Sequence, residues 1–164
     1  MSKKNGREAG PHAPTKLMEA EEALGKMKWA VAYDAPIVRR QEFLPYLKQL
    51  LGVCYSVTLS LDQTKKGWRQ NLNPDEAELN TFMLTQRHSE VHNTGAVGLR
   101  QEIKWYPASR FKEVTIIGPP ALLNSGAPNP NPVGLTEHYF EMRSGREEII
   151  PTCEKYLTVL ARLI

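Results

Sequence analysis

Residues 73–95 read NPDEAELNTFMLTQRHSEVHNTG, and this stretch decides the fold. Asn73 is a helix N-cap type, Pro74 suits the first helical position, and Asp75 and Glu76 load the first turn with negative charge. Asn73 and Glu76 have the spacing of a capping box. Leu79, Phe82 and Met83 then recur on one face, and Gly95 after Asn93-Thr94 is a left-handed helix stop. A well-capped amphipathic helix therefore runs through this stretch and carries Arg87 to His92 in its last turns.

Working upstream, Phe43, Leu47, Leu50, Leu51, Cys54, Val57, Thr58 and Leu61 trace one apolar stripe, which predicts a long helix. Pro45 either marks its start or kinks it. Trp68 is expected to pack near its end. Before that, Leu17, Ala20, Leu24, Met27 and Val31 predict a first helix capped by Thr15. Residues 1–14 hold Lys3, Lys4 and Arg7 with little apolar content, which predicts a disordered basic tail.

Downstream, residues 96–143 lose the helical period. Val114-Thr115-Ile116-Ile117 and His138-Tyr139-Phe140-Glu141-Met142 read as strands that can pair antiparallel, and the Pro- and Asn-rich stretch between Gly118 and Gly134 as a long loop. A last helix starts near Glu148 or Pro151 and shows Cys153, Leu157, Leu160 and Ile164 on one face. Four one-sided helices bury their apolar faces best against each other. The expected fold is mainly α, a four-helix bundle over residues 15–164, with a β-hairpin and Pro-rich insertion (96–143) between the third and fourth helices.

Composition narrows the function classes. At 164 residues, 41% hydrophobic and 24% charged, the chain fits one globular domain. No apolar run is long enough to span a membrane and no secretory signal is visible, so no membrane partner and a cytoplasmic location are expected. The net charge of +3 is low for a protein with a dedicated nucleic-acid face. Cys54 and Cys153 lie in apolar helical patterns and read as buried thiols, although sequence leaves a disulfide open. Gly118-Pro119-Pro120 and Asn124-Ser125-Gly126 lack the Gly-Lys-Ser/Thr end of a phosphate loop.

Chemistry concentrates in Arg87-His88-Ser89-Glu90-Val91-His92. Arg supplies a permanently charged fork that matches a phosphate, and His titrates near neutral pH. Helix C-terminal partial charge favours the imidazolium form. Together they are the minimum for metal-free cleavage of an RNA phosphodiester, with His moving protons and Arg stabilising the phosphorane. A plainer reading pairs Arg87 with Glu90 at i,i+3 on a solvated face. His88 and His92 share a face and can hold a metal, but Glu90 does not directly follow the first His as in zinc proteases, and no further ligand clusters nearby. No metal and no cofactor are expected. His138 lies far away in sequence. Trp105-Tyr106, beside Lys104 and Arg110, can stack on bases, while Trp29 and Trp68 read as packing residues.

An Arg, a polar residue, three more residues and a His at the end of a helix in a helical bundle resemble the HEPN superfamily. Arg87 to His92 fits the shortest form of its motif, with His88 as the polar residue, and the helix order fits over residues 15–164. The resemblance implies a homodimer with motif helices facing each other. It also implies metal-independent endoribonuclease activity or RNA or nucleotide binding. Carried over, Arg87 and His92 are the catalytic pair, with His88, Glu90 and Asn93 in support. A toxin-antitoxin role, with an antitoxin or other regulatory protein as partner, is compatible with it. The alternative function class is a non-catalytic helical interaction or regulatory domain in which the motif is a dimer or partner contact.

Overall fold

The computed structural model describes residues 12–91, 97–111 and 132–164. Among them, helix α1 spans His12–Ala30, a short α2 Ile37–Arg40, α3 Phe43–Thr64, α4 Pro74–Val91 and α5 Ile149–Leu163. Strands β1 (Leu99–Tyr106), β2 (Val133–Met142) and β3 (Gly145–Glu147) follow α4 and precede α5. The protein is mainly helical with a small antiparallel sheet inserted between α4 and α5, in the place the sequence indicates.

The long helices α1, α3, α4 and α5 bury one common core. Ala20, Ala23, Met27 and Ala30 of α1 are fully buried, and the small alanines let α1 lie along α3 over much of its length. Helix α3 buries the whole stripe from Leu47 to Leu61, and α5 contributes Cys153, Tyr156, Leu157 and Leu160. Pro45 stands in the first turn of α3, where a missing N–H costs nothing, so it marks the start and does not kink the helix. Trp68 is buried just beyond α3, its indole N–H donating to Asp62 Oδ1 at 2.8 Å.

Two sequence expectations at the front of the chain need correction. Helix α1 begins at His12, so Thr15 is an interior residue and not the N-cap. Residues 12–14 are therefore helix and not tail: Ala13 is buried, and Pro14 sits in the first turn, where helices accept proline. Residues 1–11 lie outside the described part. At the other end of α1, Arg40 of α2 reaches back and donates to the Ala32 and Ala35 carbonyls at 2.8 and 3.2 Å.

The sheet has the order β1-β2-β3. Strand β1 pairs with β2 from Leu99↔Phe140 to Tyr106↔Val133, and β2 with β3 at Phe140↔Glu147, Glu141↔Arg146 and Met142↔Gly145. Val114 to Ile117 was the expected partner of His138 to Met142, but β1 and β3 hold those positions. Residues 114–117, and most of the expected loop after them, lie outside the described residues. Leu99 and Phe140 dock the near end of the sheet on the helices, with Phe140 edge-to-face on Phe82 of α4 at 5.1 Å. At the far end one face packs, with Leu135 and Phe111 buried, and the other leaves Ile103 and Trp105 exposed.

Both cysteines are free thiols buried in the core. Burial pushes the Cys54 thiol up to about 12 and raises that of Cys153 as well. No helix among the described residues is long and apolar enough to cross a membrane.

Candidate functional site

Helix α4 is fixed before its functional end begins. Asn73 Oδ1 accepts the Glu76 backbone N–H at 2.8 Å, and Glu76 Oε1 accepts the Asn73 N–H at 3.0 Å, which closes the expected capping box. Arg162 of α5 grips the same carboxylate at 2.8 and 2.7 Å. One turn on, Asn80 accepts the buried Tyr156 hydroxyl at 2.7 Å. These contacts set the rotation of α4 and so decide where its last turns point.

Arg87 is half-buried and turns toward α3. Its guanidinium carbon lies 5.4 Å from the centre of the Tyr55 ring, a cation–π contact. Gly52, one turn before Tyr55, lies beside it: a Cβ there would stand 3.7 Å from Arg87 Nε, an ordinary van der Waals distance. The Arg87–Glu90 pair considered from sequence does not form as an ion pair. Glu90 instead accepts Lys48 of α3 at 2.7 Å. Among the described residues no carboxylate is ion-paired with Arg87.

His88 is exposed and borders a shallow groove of about 430 Å³ between α3, α4 and the turn that carries Arg69. Tyr55, Leu72, Thr81 and Leu84 also line it. Tyr55 thus meets both Arg87 and the groove that His88 borders. His92 and Asn93 lie outside the described residues, as does the expected stop at Gly95. Of the five motif residues, Arg87, His88 and Glu90 can therefore be placed on α4, all close to α3. Sequence reasoning missed Lys48, Tyr55 and Arg69, because nothing local marks them: their role comes from packing across helices.

The groove is polar at its Arg69 and His88 edges and apolar along Tyr55, Leu72 and Leu84. Arg69 is itself ion-paired with Asp62 at 2.5 Å and lies over the Trp68 ring at 4.4 Å. Among the described residues no group of three or more His, Cys, Asp or Glu side chains could hold a metal ion.

The other sequence candidates lie elsewhere. His138 stacks on Phe43 with ring centres 5.9 Å apart, and burial lowers its pKa. It lines a second, larger cleft that involves no residue of α4. Tyr106 and Trp105 alternate across β1, so they do not form one stacking platform: Tyr106 faces Arg110 at 4.2 Å, while Trp105 is exposed on the other face. Trp29 is half-exposed beneath Arg39, whose guanidinium carbon lies 4.6 Å from its ring centre.

Comparison with protein-family models, with curated proteins and with solved structures gave no match.

Proposed function

We propose that the chain is a HEPN-like four-helix bundle that acts as a homodimer and cleaves RNA without a metal, using Arg87 and His92. The observation that carries this reading is the state of Arg87. A half-buried guanidinium to which, among the described residues, no carboxylate is bound, resting on an aromatic ring, is poised to receive an anion. The neighbouring acid is held away: Glu90 is engaged by Lys48.

In the proposed reaction, His92 takes the proton of a ribose 2′-hydroxyl. The freed 2′-oxygen attacks the adjacent phosphorus, and Arg87 stabilises the charge that gathers on the phosphoryl oxygens. The P–O5′ bond breaks, and the leaving 5′-oxygen takes a proton from the same histidine of a second copy. The products are a 2′,3′-cyclic phosphate and a 5′-hydroxyl. A two-fold dimer supplies the acid that one copy lacks.

The test is direct. Purified protein incubated with a labelled oligoribonucleotide in EDTA is expected to release 2′,3′-cyclic phosphate ends. Arg87→Ala and His92→Ala are each expected to cut the rate at least about 10²-fold. Full cleavage by both variants rejects the site.

A second reading is favoured by the apolar groove beside the motif, which Tyr55 and Leu84 line, with the exposed Leu59 one helical turn beyond Tyr55 on α3. There the domain is a non-catalytic interaction module that docks a regulatory protein such as an antitoxin. It predicts no cleavage at all, and Arg87→Ala alters the mass of the assembly.

A further inference from the structure

A cleft of about 660 Å³ lies between the sheet, the α1–α3 connection and the start of α5. Its size suits a small organic molecule. Two arginines meet at its mouth. Arg40 Nη2 donates to the Tyr33 carbonyl at 3.1 Å, and Arg110 Nε donates to the same oxygen at 3.2 Å. Both guanidinium carbons also lie over the Phe111 ring, at 5.6 and 5.5 Å. Arg110 is further held against Tyr33 and Tyr106, at 4.1 and 4.2 Å from their ring centres.

Two like charges converging on one neutral oxygen repel each other unless an anion joins them. Two of the nearby carboxylates are committed elsewhere. Glu102 binds Arg146 at 3.0 Å and Lys104 at 3.5 Å. Glu137 binds Lys104 at 3.2 Å and accepts the Tyr106 hydroxyl. Glu148 also lines the cleft. Among the described residues neither Arg40 nor Arg110 is in an ion pair. Burial, and next the charge of Arg110, hold the Arg40 guanidinium below its ordinary value, although Glu137 opposes this. The cleft also has an aromatic wall: Phe43 and His138, which stack with 22° between their planes, line it together with Val31 and Ile149.

We propose that this cleft binds an organic phosphate monoester with a planar body, the phosphate bridging Arg40 and Arg110 and the body resting toward Phe43 and His138. Guanidinium forks match phosphate oxygens in pairs, and a bridging dianion relieves the repulsion between the two arginines. The cleft shares no lining residue with the α4 groove, so the inference does not depend on ribonuclease activity.

The experiment is isothermal titration of the full chain at constant ionic strength with adenosine 5′-monophosphate, adenosine and inorganic phosphate. The monophosphate is expected to saturate one site per chain, with adenosine and phosphate each about ten-fold or more weaker. Arg110→Gln is expected to weaken the monophosphate about ten-fold or more, because it removes a charge-assisted contact. Arg87→Ala is expected to leave the affinity unchanged. Absence of saturable binding overturns the proposal, and so does an Arg110→Gln affinity equal to that of the parent. Loss of binding in Arg87→Ala moves the ligand to α4 and overturns it too. A second measurement needs no variant. Phenylglyoxal labelling of Arg40 and Arg110, read by peptide mass spectrometry, is expected to slow when the monophosphate is present, and unchanged labelling counts against the site.

Discussion

Gly98 stands where α4 meets the sheet, and it leaves no room for a side chain. A Cβ there would lie 2.5 Å from Phe82 Cε2 and 2.8 Å from Gln86 Nε2. Gln86 is almost fully buried, and its amide oxygen accepts the Gly98 N–H at 2.7 Å. The Phe82 ring cannot step aside freely, because it packs edge-on against Phe140. Gly98→Ala is therefore expected to cost about 1–3 kcal/mol, the usual range for overpacking a filled site. Urea unfolding measures this, and a midpoint equal to the parent's shows that the contact yields. Gly52 is the contrast: a Cβ there would meet Arg87 Nε at 3.7 Å, an ordinary van der Waals distance, so the placement of Arg87 does not require a glycine.

At the scale of elements, α4 is held by its first turn. Asn73→Ala removes the cap and is expected to cost about 1 kcal/mol, within a range of about 0.5–2. Glu76 does more than close the box, since its carboxylate also receives Arg162 from α5. The Arg162 hydrogen bond first, and the Asn73 N–H next, hold its pKa below the ordinary carboxylate value. A depressed folded value means the stabilisation is fully present above the unfolded carboxylate value of about 4.3. It is lost as pH falls through the lower folded one. Urea midpoints measured from about pH 6 down to about pH 3 are expected to fall, and Glu76→Gln is expected to flatten that fall. An unchanged slope in the variant removes Glu76 from the acid response. The capping box was legible in the sequence because it is local: Asn73 and Glu76 are three residues apart. The same holds for the stripes of α3 and α5, which repeat on one face. Strand β1 was not legible. Its sequence, Leu99-Arg-Gln-Glu-Ile-Lys-Trp-Tyr106, shows no apolar alternation, and five of its eight residues stay exposed, the large hydrophobic Ile103 and Trp105 among them. Cross-strand pairs support it instead, such as Arg100–Glu141 at 2.8 Å, and these become visible only once the partner strand is known. Within the candidate site the split is similar. Arg87, His88 and Glu90 follow from one helix, whereas Lys48 and Tyr55 enter through packing between helices.

At the scale of the whole molecule, one apolar strip among the described residues bears on assembly. On α3, Tyr55 and Leu59 are one helical turn apart and exposed, next to the groove that Leu72 and Leu84 line. The motif end of α4 borders this same face. A second copy placed here by a two-fold axis would cover the apolar strip and bring two copies of Arg87 toward a shared opening, as the proposed reaction requires. The face already holds charges that can rim such a contact, among them the Lys48–Glu90 pair. Light scattering coupled to size exclusion is expected to give twice the chain mass, and Leu59→Glu is expected to return the monomer, because it puts a carboxylate into the apolar strip. The proposed chemistry adds a sharper requirement. If each site borrows its proton donor from the partner, Leu59→Glu loses cleavage together with dimerisation, and an excess of inactive His92→Ala chains lowers the rate of the parent by drawing it into heterodimers that hold one His92 where the reaction needs two. An active monomeric Leu59→Glu chain would place the donor within a single copy and remove the need for the two-fold arrangement.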